Sequence, residues 1–127
     1  MQKKIFGSLF LFLSGMLIFV SCAKDTLVAP VPVVIPPNLK ISFKDTIQPI
    51  FTANCMGSGC HSGSTSPNLT VGNAYNSLRS GGFLNTASPA QSILYIQMAP
   101  GGGMSGHCTV DEANLVLAWI TKGALDN

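Results

Sequence analysis

Charge is what this chain has least of: 9% of its 127 residues are Asp, Glu, Lys or Arg, roughly a third of the share usual in globular proteins. Neutralising nucleic-acid phosphates takes clustered Lys and Arg, and the seven present are scattered, so nucleic acid is excluded as a partner. Disorder is excluded as well, because 46% of the residues are hydrophobic and the net charge is only +2. Strand-like alternation and internal repeats are both lacking. The run Gly101-Gly102-Gly103 lacks the Lys-Ser/Thr of a phosphate loop, and Ser62, Ser64 and Ser66 have no base at a readable spacing, which leaves them as turn chemistry beside Pro67.

What is present begins with a leader. Lys3 and Lys4 precede the apolar run Ile5 to Val20, the basic and apolar regions of a signal peptide, and the run falls short of the ~20 residues that span a bilayer. It ends in Phe19-Val20-Ser21-Cys22, which resembles the lipobox of bacterial lipoproteins. That resemblance implies removal of residues 1–21, a lipid on Cys22, and an exported protein anchored to the cell envelope, on the periplasmic side or at the outer membrane. Without Lys3 and Lys4, cationic and anionic residues balance at five each. Residues 23–40 contain Pro30, Pro32, Pro36 and Pro37 among Val and Ile, a composition that favours extended polyproline-like backbone and reads as a tether.

The remaining segment, 41–127, is small enough to need a staple, a metal or a cofactor to complete its core. Its patterns are helical, and the expected fold class is all-α. Ser42 is placed to cap a helix whose apolar positions Phe43, Ile47, Ile50 and Phe51 recur at three and four, with Pro49 expected to kink it or to confine its regular part to one side. Shorter helices are expected over 73–79 and from Ser92 through Gln97. Thr109-Val110-Asp111-Glu112 is a capping box for a last helix with Val116, Trp119 and Ile120 on one face and Gly123 at its end. Long Gly- and Ser-rich loops connect these elements, and loops of that length in a small domain call for something to hold them.

The chemistry concentrates directly after the first helix, in Cys55-Met56-Gly57-Ser58-Gly59-Cys60-His61. Cys-x-x-Cys-His is the attachment signature of c-type haem, in which two thiols become thioethers and the His binds iron. Here the cysteines are five apart. A regular helix would turn the second sulfur ~140° away, and Gly57 and Gly59 are expected to supply the φ > 0 conformations that loop out two extra residues. A soft thioether suits the opposite side of the iron and raises its potential. Met104 lies in the triple-glycine loop, with Met98 and His107 as competitors.

In these features the chain resembles small monohaem c-type cytochrome domains carried on bacterial lipoproteins, some of which use Cys-x-x-x-x-Cys-His. The resemblance covers most of 41–127 and rests on Phe43, Ile47, Pro49, Ile50 and Phe51 before Asn54-Cys55, on Cys60-His61, Ser92-Ile93-Leu94-Tyr95 and Gly102-Gly103-Met104, and on Trp119-Ile120-Thr121-Lys122-Gly123-Ala124. It implies a cytochrome c-like fold around one covalent haem c, with Cys55 and Cys60 as attachment points, His61 as proximal ligand and Met104 as distal ligand. The implied activity is one-electron transfer to redox partner proteins, without bond chemistry; a vacant sixth position would instead allow gas binding or peroxidase-like activity, with His107 as the sole acid–base candidate. Two readings without haem remain open: a Cys55–Cys60 disulfide, and a zinc site drawn from Cys55, Cys60, His61, His107 and Cys108. Cys108 is otherwise a buried free thiol. Tyr75, Tyr95 and Trp119 are expected to pack, around the ring if haem is present.

Overall fold

The structure, a computed structural model, describes Pro36 and residues 38–127. The leader, Cys22 and most of the tether lie outside the described residues. Among the described residues there are four helices and no strand: α1 (Gln48–Asn54), α2 (Ala74–Ser80), α3 (Ile93–Met98) and α4 (Val110–Thr121). None is long and apolar enough to cross a membrane.

Ser42 caps the first helical segment as its sequence indicates, its side chain accepting from the Asp45 N–H at 3.1 Å. Pro49 leaves the regular α-helix on one side: Phe43–Ile47 form a wider, π-helical turn that leads directly into α1. The Ile47 and Gln48 amides reach back five residues, to the carbonyls of Ser42 and Phe43. Pro49, which has no N–H to give, then falls in the first turn of α1, where none is needed. Phe43, Ile47, Ile50 and Phe51 are buried from this segment.

Helix α4 is the central element, with Val116, Trp119 and Ile120 almost fully buried. Its capping box is complete: the Glu112 N–H donates to Thr109 Oγ1 at 3.2 Å, and Glu112 Oε2 accepts from the Thr109 N–H at 2.7 Å. Glu112 Oε1 also accepts from Asn54 Nδ2 at 2.9 Å, tying the start of α4 to the end of α1. Gly123, at φ 97°, ends the helix with two returning bonds, Gly123 N–H to Ile120 O and Ala124 N–H to Trp119 O. Beyond it, Leu125 O accepts from Trp119 Nε1 and Asn127 accepts from Ser42 and the Lys44 and Phe43 amides, so the tail closes over the first turn. Phe43 sits in an aromatic cluster with Trp119 (5.2 Å between ring centroids), Tyr75 (5.4 Å) and Phe51 (6.3 Å).

The long connections are held by their own hydrogen bonds. Buried Gln48 donates through Nε2 to Leu69 O at 3.0 Å, and the Asn68 N–H donates to Ser77 Oγ at 2.8 Å. Buried Ser92 accepts from the Asn85 N–H at 2.8 Å, fixing the loop before α3. These anchors leave one side of the molecule, between the 55–69 loop and the 99–109 loop, to form a cleft.

Candidate functional site

Cys55 follows the last residue of α1, its N–H donating to Phe51 O at 2.8 Å as the helix stops. The chain then turns out and returns, and the His61 N–H closes the excursion on Cys55 O at 3.1 Å. Gly59, at φ 78°, makes the reversal possible. Gly57 adopts no positive φ; it lies against Cys60, whose Sγ would be 3.4 Å from a methyl group at that position. The two-residue insertion therefore depends on Gly59 for conformation, while a methyl group at Gly57 would make only an ordinary contact with Cys60.

His61 is half-buried and fixed at both ends. Its carbonyl accepts from the Leu69 N–H at 2.9 Å, and its Nδ1 lies 3.0 Å from Pro67 O. A carbonyl can only accept, so Nδ1 carries the proton and Nε2 keeps its lone pair for a ligand. Pro67 was not readable as a site residue, since it contributes only a main-chain oxygen.

The cleft, about 290 Å³, is lined by His61, Cys55, Met98 and Met104 among apolar walls from Phe51, Leu69, Phe83, Ile93 and Leu94, with Ser66, Pro67 and Gln97 completing it. None of these twelve residues carries a fixed charge. Two thioethers, the Cys55 thiol and one imidazole with a free nitrogen thus converge on one apolar space, although His61 and Met104 are 43 residues apart in the chain. That donor set and lining fit a haem better than a small polar ligand, because an imidazole and a thioether are an axial pair for haem iron and the walls match an apolar macrocycle.

The two methionines differ. Met98 ends α3 and is buried in the hydrophobic core, whereas Met104 is 40% exposed on its loop. His107 is exposed and does not line the cleft. The glycines before Met104 do not face the cleft. A methyl group on Gly102 would collide with the carbonyls of Ile96 and Gln97, so this glycine lets the loop seat against the end of α3. Tyr75, Tyr95 and Trp119 pack in the body of the domain and do not line the cleft; its aromatic walls are Phe51 and Phe83.

Cys55, Cys60 and Cys108 are free thiols. Burial, with the neighbouring Cys108, Cys60 and Glu112 adding to it, pushes the Cys55 thiol up to about 11. Cys108 is raised too, by burial and then by Glu112. Its Sγ donates to Met98 O at 3.4 Å and Met104 O at 3.7 Å. Cys60 is half-buried and does not line the cleft. Among the described residues no three His, Cys, Asp or Glu side chains gather as metal ligands. No known protein family, curated protein or solved structure matches the chain.

Proposed function

We propose that residues 41–127 are a monohaem c-type cytochrome domain, an electron carrier tethered to the cell envelope through lipid on Cys22. The observation that carries this reading is the convergence of His61, with its Nε2 free, and Met104 on one uncharged cleft beside Cys55. Cys55 and Cys60 would hold the group as thioethers, His61 would bind iron on one side and Met104 on the other. When bound, the haem supplies a single Fe(III)/Fe(II) electron step at a potential raised by the thioether.

The chain's own residues do the rest. Pro67 O holds the imidazole in one tautomer and one orientation. Phe51, Leu69, Phe83 and Leu94 give the cleft apolar walls that an apolar macrocycle would cover. Burial pushes the Cys55 thiol up to about 11, so in the haem-free domain it is the neutral thiol near pH 7. His61 and Met104 would both be taken up in holding the group, and His107, which a peroxidase-like activity would need, is outside the cleft.

The test is a pyridine haemochrome spectrum of protein made together with a cytochrome c maturation system, alongside haem staining on a denaturing gel. Covalent haem at one per chain is expected, and its absence would remove the proposal. In the same protein Met104→Ala should abolish the weak iron–thioether charge-transfer band and lower the reduction potential; an unchanged band would move the ligand to Met98.

A further inference from the structure

We propose that Gln97 is a positioning residue that holds the Met104 thioether at the cleft and so governs how readily the sixth position opens. This rests on the haem-carrier reading. The last turn of any helix leaves carbonyls without helical partners, and α3 uses one of them on the loop: Gln97 O accepts from the Met104 N–H at 2.8 Å. The side chain of the same residue adds a second bond, Oε1 accepting from the Gly103 N–H at 3.1 Å. Two consecutive amides of the ligand loop therefore end on one residue. Gly102 allows this seating, since a side chain there would strike the carbonyls of Ile96 and Gln97.

The clamp acts on the loop's main chain and leaves the Met104 side chain free to reach into the cleft. Met98 needs no such device, because it is carried by α3 itself and buried in the core. Without the Gln97 amide, the Met104 N–H to Gln97 O bond is the one direct hydrogen bond left between Gln97 and the Gly103-Met104 pair, while the remaining bonds of the loop, such as Gly102 N–H to Ala99 O, lie to either side of it, and an outside ligand can displace the thioether more easily.

The experiment uses the ferric protein with covalent haem and imidazole as the competing ligand, followed by loss of the thioether charge-transfer band. Gln97→Leu and Gln97→Ala, which remove the acceptor from an exposed helix position, should each bind imidazole about five- to tenfold more tightly, the scale of one lost hydrogen bond. Gln97→Glu keeps an oxygen in place and should stay near the wild-type affinity. Thermal midpoints are read in parallel. Wild-type imidazole affinity in both Leu and Ala variants, with or without a lowered midpoint, would overturn the proposal, and so would a thioether band that survives Met104→Ala. Wild-type protein without covalent haem would overturn the carrier reading itself, which the haemochrome assay registers separately.

Discussion

The Cys55 thiol loses its proton only at about 11, against an ordinary 9.0, and that difference links ionisation to folding in the haem-free chain. A folded-state value raised above the unfolded one means that stability is fully present below pH 9 and is lost as pH climbs from 9 to 11. The thiol is only half-buried, so solvent screening reduces the effect to ~1 kcal/mol. Urea midpoints of haem-free protein at about pH 8 and about pH 10.5 should therefore differ more in the wild type than in Cys55→Ala. Equal differences would show that another group causes the loss. At this scale the sequence was informative where chemistry sits in side chains. Cys55, His61 and Met104 were readable from thiol, imidazole and thioether at telling positions, and the cleft brings them together. Pro67 and Gln97 were not, because one acts through a main-chain oxygen and the other through an amide that matters only once the 99–109 loop has folded back on α3.

Among the elements, α4 carries the clearest dependence on single residues. The Glu112 carboxyl is held below its usual 4.5, first by the Thr109 N–H, then by the Asn54 amide and the Thr109 hydroxyl, with burial opposing them. A depressed value contributes stability that is present above pH 4.5 and lost as pH falls below it. Glu112→Gln should flatten the acid side of the stability profile below about pH 4.5, measured by thermal melting across that range. Thr109→Ala removes the cap itself, worth ~1 kcal/mol, and should lower the melting midpoint by about 4–8 °C. A wild-type midpoint in Thr109→Ala would mean that the tie from Asn54 to Glu112 suffices to start the helix. The last three helices were legible to within about a residue at each end because capping and spacing are local, whereas α1 starts five residues after the expected Phe43. The π-helical turn was not, since Pro49 announces a missing donor without saying whether the backbone kinks or widens around it. Nor was the role of Gly102, because a glycine facing a neighbouring helix and one facing a ligand look alike in sequence.

For the whole molecule the decisive fact is where charge does not fall. Between Asp45 and Asp111 the only charged residue is Arg79, which donates to Tyr75 Oη, itself bonded to Ala124 O, and does not line the cleft. The sparse charge of the chain was plain from composition, but its placement depended on packing that gathers the 46–78 and 80–110 segments around one cleft. Ile93, which lines the cleft, is 48% exposed, and Ile96, one turn further along α3 and outside the lining, is 44% exposed. An encounter through this face gains little from long-range attraction and loses little to salt. For the proposed haem carrier, electron self-exchange between oxidised and reduced protein should thus change by less than about twofold between ~0.01 and ~1 M salt, a range over which the Debye length shrinks about tenfold. Ile96→Lys would place like charges on both approaching rims and should make the rate low in dilute salt and rising as salt screens the repulsion. A strong salt dependence in the wild type, unaltered by Ile96→Lys, would place the contact on another face of the domain.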